Sequence, residues 1–454
     1  MYRSLLEQAI RYSLEFLENI SSRAVAPDSK AIQNLRALDE AVPDGPTDPA
    51  EMLHFLHDVG SPAATASAGG RYFGFVQGGT IPPALAAHWL ASAWDQNVVM
   101  RVLSPIGAAI TDVTASWLRD LLRLPPEVHC SFVTGTTAGN IAALAAARHH
   151  VLTKAGWDIE GDGLFGAPVV PVIVGAEGHA SIFKSFGILG LGRKRVISAP
   201  VDSQGRIDPD KFPELTEPAI ICLQAGHVDT GAFDPLEEIC LRAKESGSWV
   251  HIDGAFGLWA AASDEKRRLL KGHDLADSWS TDCHKWLNVP YDSGLVFVRD
   301  REALSRSLAM RGDYLVNDIR GDAMDGTLEM SQRARSVDVW AAIKSLGRSG
   351  LNELIDRCCR HARSFAEGLS AAGFEILNDV VLNQVLVSFG SDEQTLETIK
   401  RIQQDGTCWC GGTKKQGRAA MRISVSGWAT TDDDVQMSLE AMIRAAREIG
   451  VRGN

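Results

Sequence analysis

One pattern limits the fold of this chain more than any other. Between residues 130 and 298, short apolar, β-branched runs alternate with stretches of helical spacing. The runs are Cys130–Thr134, Pro168–Val174, Lys194–Ser198, Ile220–Gln224, Trp249–Asp253 and Gly294–Val298. Helical stretches such as Ala138–His149, Ser181–Leu189 and Pro235–Ser246 lie between several of them. Strands that are apolar throughout are covered on both faces, and intervening helices supply the cover. The pattern therefore predicts an α/β fold with a largely parallel sheet. In such sheets ligands sit beyond the carboxyl ends of the strands.

The flanks read differently. Met1–Ser21 mixes Arg3, Glu7, Arg11 and Glu15 with apolar residues at helical spacing, the pattern of an amphipathic helix rather than a secretion signal. Pro27–Pro62 is rich in Pro, Asp and Ala, with one helical stretch at Ala50–Val59, and cannot form a core alone. Leu85–Leu124 has helical spacing and ends at Pro125-Pro126. Beyond Arg311 come a polar stretch, Gly312–Gly326, and a long helix from Ser336. An αβ region follows, with Phe374–Leu377, Gln384–Phe389, Met421–Val425 and a last helix from Asp432. The expected division is an N-terminal helical arm (1–70), a large ligand-binding domain (71–320) and a smaller C-terminal αβ domain (321–454).

A formal net charge of -12 argues against nucleic-acid and anionic-membrane partners, which select basic faces. No apolar run approaches the ~18 residues of a membrane span. Eight cysteines scattered through the chain imply reduced thiols and a cytoplasmic setting. Cys408 and Cys410 are too few for a closed zinc site, so no metal is expected.

Four short segments carry the chemistry. Lys285 lies in Thr281-Asp282-Cys283-His284-Lys285-Trp286, an apolar, Trp-flanked setting where a free ammonium is costly. A Schiff base removes that cost, and desolvation activates the amine toward an aldehyde. Asp253 ends an apolar run and is followed by the small residues Gly254 and Ala255, so it can meet a ring nitrogen while leaving room for a flat ring. Pyridoxal phosphate needs such a carboxylate, because its protonated pyridinium is the electron sink. Thr134-Gly135-Thr136-Thr137 joins a predicted strand to a helix and fits a phosphate. Gly178-His179-Ala180-Ser181 places an imidazole at another strand end.

In this order and spacing the four segments resemble the group II pyridoxal-phosphate-dependent amino-acid decarboxylases, from about residue 68 to 450, most specifically over Thr281–Gly294 (TDCHKWLNVPYDSG). The resemblance implies the aspartate-aminotransferase (type I) fold with its seven-stranded sheet, pyridoxal 5'-phosphate as cofactor, and a homodimer across whose interface the arm packs. It implies Lys285 as the aldimine lysine, His284 and Thr136–Thr137 at the phosphate, and Asp253 at the pyridinium nitrogen. Ala255 would lie on one ring face and His179 on the other. Phe73, Phe75 and Gln77 match the substrate-pocket segment, and their aromatic character suits an aromatic or apolar amino acid. Gln224–Phe233 matches the loop under the cofactor, with His227 in place of a small polar residue. Arg422 falls where the wider superfamily often binds a substrate carboxylate.

One departure stands out. The family carries a proton-donating tyrosine on a mobile loop. The corresponding Val316–Gln332 contains none, and Tyr314 lies ahead of it. Amino-acid decarboxylation is the first reading. An aldolase or other carbon–carbon lyase on a β-hydroxy amino acid or related amine, and a non-catalytic cofactor-binding member, stay open.

Overall fold

A computed structural model of the chain describes residues 2–309 and 321–451. The N-terminal segment carries α1 (Tyr2–Glu18), α2 (Ser29–Asn34) and α3 (Pro49–Ala63). Asp28 caps α2 through the Ala31 N–H, and Asp48 caps α3 through the N–H groups of Ala50 and Glu51, with Pro49 in the first turn. Tyr12 stacks on His57 at 4.0 Å and Gln8 donates to the Ala50 carbonyl at 2.9 Å, which joins α1 to α3. Neither helix has a buried residue, and Leu6, Leu14 and Phe55 are exposed. The helical stretch before Pro125 is two helices, α4 (Pro82–Trp94) and α5 (Pro105–Leu121), because Asp95 turns the chain into the left-handed region at φ 48°.

The large sheet holds β1 (His129–Val133), β2 (Val172–Gly175), β3 (Ile197–Ala199), β4 (Ile220–Gln224), β5 (Trp249–Asp253), β6 (Ser278–Asp282) and β7 (Gly294–Val298). Its order is β1-β7-β6-β5-β4-β2-β3. Only β7 runs against its neighbours; every other pairing is parallel. The expected α/β class and mostly parallel seven-stranded sheet are thus present. Cover comes from α6 (Thr136–Lys154), α7 (Ile159–Asp162), α8 (Ala180–Ile188), α9 (Leu236–Ser246) and α10 (Arg301–Leu308).

Two strands begin later than expected, β2 at Val172 and β3 at Ile197, the latter because Arg193–Arg195 forms a 3-10 turn. β6 was absent from the expected set. Its sequence, SWSTD, looks polar, yet every residue is buried. Its serines are paired inside the protein: Ser278 accepts from Trp249 Nε1 at 2.9 Å, and Ser280 donates to Asn140 at 2.6 Å. Hydrogen-bonded hydroxyls take the place of apolar side chains there.

After the large sheet come α11 (Arg335–Ala371), interrupted at Gly347 with φ 61°, then β8 (Glu375–Ile376), β9 (Gln384–Ser388), α12 (Asp392–Asp405), β10 (Gly411–Lys415), β11 (Arg418–Ser424) and α13 (Asp432–Glu448). These strands form an antiparallel sheet in the order β10-β11-β9-β8. Polar links tie the two sheets' regions together. Lys415 reaches Glu177 at 2.7 Å, and Asn378 donates to the Thr230 carbonyl at 3.0 Å. All eight cysteines are buried and unpaired. Among the described residues no helix is long and apolar enough to cross a membrane.

Candidate active site

The carboxyl ends of β1, β2, β5 and β6 converge, and each delivers one of the expected groups. At the end of β5, Asp253 is held from two sides. Its Oδ1 accepts the Ala255 N–H at 3.2 Å, and its Oδ2 accepts Asn140 Nδ2 at 3.1 Å. Asn140 lies on α6 and is fully buried. Its carbonyl oxygen accepts from Ser280 at 2.6 Å and from His251 Nε2 at 3.0 Å. Burial drives the His251 pKa down to about 3, so the ring is neutral, and its Nδ1 faces Ser278 Oγ at 2.9 Å. Donors and acceptors in this network match one to one, which fixes the Asp253 carboxylate at the strand end.

His179 ends the loop after β2 and caps α8: its Nδ1 accepts the Ser181 N–H at 3.3 Å and meets Ser181 Oγ at 2.8 Å. Asn140 Nδ2 lies 3.5 Å from the same Ser181 hydroxyl, so His179 and Asp253 share one network.

The turn from β1 into α6 carries the anion site. Gly135 is pressed against β7: a Cβ on Gly294 would lie 2.5 Å from the Gly135 Cα. A Cβ on Gly135 would itself lie 3.3 Å from Asp282 and 3.4 Å from His284, so a side chain there would fill the cradle. Thr136 Oγ1, in the first turn of α6, is buried with no hydrogen-bond partner among the described residues. An orphaned hydroxyl at a helix N-terminus fits a phosphate oxygen. Thr137 follows it on α6.

Behind the cradle, Asp282 at the end of β6 accepts the Thr136 N–H at 2.6 Å and pairs with Lys285 Nζ at 3.0 Å. His284 is largely buried, and burial lowers its pKa against the opposing pull of Asp282. Its Nδ1 accepts the Ser293 N–H at 3.1 Å, which leaves Nε2 as the donor in the neutral ring. Tyr291 stacks on this imidazole at 4.3 Å. Burial, with Asp282 and Tyr72 adding to it, raises the Tyr291 phenol to about 12, so it keeps its proton at neutral pH.

The segment ahead of α4 closes the site. A Cβ on Gly78 would lie 1.8 Å from the Lys285 carbonyl oxygen, so the chain passes directly against the lysine. Phe75, at φ 54° and 60% exposed, stacks on Trp409 at 5.4 Å, and Tyr72 stacks on the same indole at 5.2 Å. Gln77 is half-buried in this segment. Phe73 turns the other way, into the core, edge-on to Phe365 at 5.0 Å. Arg422, on β11, donates to the Val228 carbonyl and to Asp229, both at 3.2 Å, so its charge is engaged by the loop Gln224–Phe233. His227, in that loop, is buried and lies 3.3 Å from Glu177. Of the loop expected to lack a tyrosine, residues 316–320 lie outside the described residues, as does Tyr314; Ala323–Gly326 forms a 3-10 turn packed on Ser131. Sequence reasoning gave no role to Asn140, Asp282, Tyr291 or Trp409. Only Asn140 and Asp282 left a trace in it, as polar residues inside otherwise small or apolar segments.

Residues 32–390 match the family model described as the pyridoxal-dependent decarboxylase conserved domain. An aromatic-L-amino-acid decarboxylase of Bacillus atrophaeus is 25% identical over 464 residues, covering 96% of this chain and 94% of the relative. The L-2,4-diaminobutyrate decarboxylase of Rhizobium meliloti (strain 1021) is 30% identical over 388 residues, covering 81% and 76%. A crystal structure of Oryza sativa TDC with PLP and tryptamine superposes with a TM-score of 0.91 at 22% identity, covering 99% of this chain and 98% of that one. The chain belongs to the pyridoxal-dependent decarboxylase family. It is a pyridoxal-phosphate-dependent carboxy-lyase that acts on an amino acid, and the aldolase and non-catalytic readings are not favoured.

Proposed function

We propose that this decarboxylase takes an amino acid with an aromatic or apolar side chain, and that the strand-end residues share the work as follows. The observation that carries the substrate class is the stack of Tyr72 and Phe75 on Trp409, a wall of flat rings beside the chain that abuts Lys285. The name of the Bacillus atrophaeus relative points the same way.

Bound pyridoxal phosphate supplies an electron sink for the bond broken at the substrate Cα. Lys285 would hold its aldehyde, and Thr136, Thr137 and His284 its phosphate. Asp253, fixed by Asn140, would keep the pyridine nitrogen protonated, between Ala255 on one ring face and His179 on the other. Whenever Lys285 is not bonded to the cofactor, its amine would have a carboxylate partner in Asp282, 3.0 Å away. Tyr291, protonated and half-exposed beside His284, would return a proton to Cα in place of the missing loop tyrosine.

In the same reading the protein is a cytoplasmic homodimer, with Leu6, Leu14, Phe55 and Trp89 of the arm and α4 covered by a second copy. Arm, large domain and small domain divide at about residues 70 and 320, supported by the two sheets falling on either side of the second boundary.

Two measurements test the assignment. Lys285→Ala should release its cofactor on dialysis and lose the visible absorbance of the wild type; retention of an unchanged spectrum would sink the role of Lys285. Carboxyl-labelled amino acids then define the substrate, and labelled carbon dioxide from acidic or basic amino acids alone would overturn the aromatic reading.

A further inference from the structure

A cavity of about 360 Å³ opens between α5, β1 and residues 321–336. Arg101, Arg119, Arg301, Arg333 and Arg335 line it, together with His129. Guanidinium groups gathered around a void are costly unless anions compensate them. Here the compensation is uneven. Arg101 grips Asp112 through two bonds of 2.7 Å, Arg333 reaches Asp338 at 2.8 Å, and Arg335 Nε reaches Asp292 at 2.9 Å. Asp322, in the same wall, accepts the backbone N–H of Arg101 at 2.7 Å and caps the turn Ala323–Gly326.

Two guanidinium donors have no anionic partner among the described residues. Arg335 is 7% exposed, yet its Nη1 is buried with no hydrogen-bond partner among the described residues. Among the described residues, Arg119 gives its Nη1 to the neutral Val128 carbonyl, at 3.3 Å. The potential in the cavity registers on His129: burial lowers its pKa to about 4, and the charges of Arg301 and Arg119 push in the same direction.

We propose that this cavity binds a small oxyanion, a phosphate or a di- or tricarboxylate, at a site separate from the cofactor's. Guanidinium forks match the oxygens of either group in bidentate fashion. The volume is roughly ten times a water molecule's ~30 Å³ share of the liquid, so it holds more than a single halide ion. None of the residues assigned to the cofactor lines it.

The test uses the holoenzyme, whose bound cofactor blocks the Thr136 cradle to added phosphate. Inorganic phosphate and citrate are titrated separately by calorimetry at fixed ionic strength. At least one of them should bind at a single saturable site; tighter phosphate marks the ligand as a phosphate, tighter citrate as a carboxylate. Arg119→Gln should weaken that binding by about tenfold or more, the scale of a lost charged hydrogen bond. Arg335→Lys, which keeps the charge and loses the fork, should weaken it as well. If Arg119→Gln does not fold, Arg119→Lys carries the same expectation. Absence of saturable binding with both anions, or an unchanged Kd in a folded Arg119 variant, overturns the proposal.

Discussion

The network around Asn140 and the wall around Trp409 are built on opposite principles. Around Asn140 every polar atom has a named partner: Asp253, Ser280 and His251 meet it at 2.6 to 3.1 Å, all of them buried. Around Trp409 the contacts are ring stacks 5.2 and 5.4 Å apart, and Phe75 is 60% exposed. A saturated buried network tolerates no substitution without orphaning a partner. Stacked rings at a surface can be exchanged for other apolar shapes at modest cost. In the proposed reading, the part that would serve any amino acid is the saturated network, and the part that would tell amino acids apart is the stack of rings.

The comparison breaks first at Asn140. Asn140→Ala leaves Asp253 Oδ2, the His251 N–H and the Ser280 hydroxyl without their partner in the core, and should cost about 3–5 kcal/mol of stability together with weaker cofactor retention. Chemical denaturation and dialysis of the variant measure both, and a loss under about 1 kcal/mol would show the network to be dispensable.

Tyr291 comes next, because it belongs to neither region alone: it is stacked on His284 and close enough to Tyr72 to feel its charge. Tyr291→Phe should lower carbon dioxide release or amine formation by about 10²–10⁴-fold while cofactor absorbance persists. An unaffected rate would move the proton donor elsewhere.

Acid should distinguish the regions without mutation. Burial lowers His251 to about 3 and His129 to about 4. A folded-state pKa below the unfolded value of about 6.5 means that stability is complete above that pH. It is lost as pH falls, by up to about 1.4 kcal/mol per pH unit for each group. Asp234, raised to about 6 by burial, opposes this by taking up a proton in the folded state. Urea titrations from pH 7 to 5 should therefore show falling stability, with a shallower slope in His251→Gln. A flat profile in the wild type would contradict the buried neutral imidazoles.

The smallest effect belongs to the wall. Trp409→Ala should change kcat/KM for an aromatic substrate by about 1–3 kcal/mol, with little change in cofactor binding. Equal loss for small and aromatic substrates would mean that Trp409 supports the fold and does not select.

The strand-end residues were legible in sequence because the signal is local: Asp253, His179 and Thr136 each follow a run whose period is visible within a few residues, and Lys285 stands out as an ammonium in an apolar, Trp-flanked segment. β6 was harder. Its serines satisfy each other's neighbours rather than burying carbon, so the hydrophobic pattern that reveals the other strands is missing. Trp409 was harder still, since it meets Phe75 across more than 300 residues of sequence, as a tertiary stack that no local pattern encodes. The helix break at Asp95 escaped notice because helical spacing resumes on both sides of it.

The eight buried, unpaired cysteines have a practical corollary. Burial raises the thiols of Cys130, Cys222, Cys240 and Cys283, so little thiolate exists to react at neutral pH. The native protein should be silent toward alkylating reagents and become labelled only as its regions open. Because these residues are spread over β1, β4, α9, the Lys285 segment, α11 and the residues just before β10, the chain carries its own set of position-specific reporters. The order in which they react would trace how the molecule comes apart.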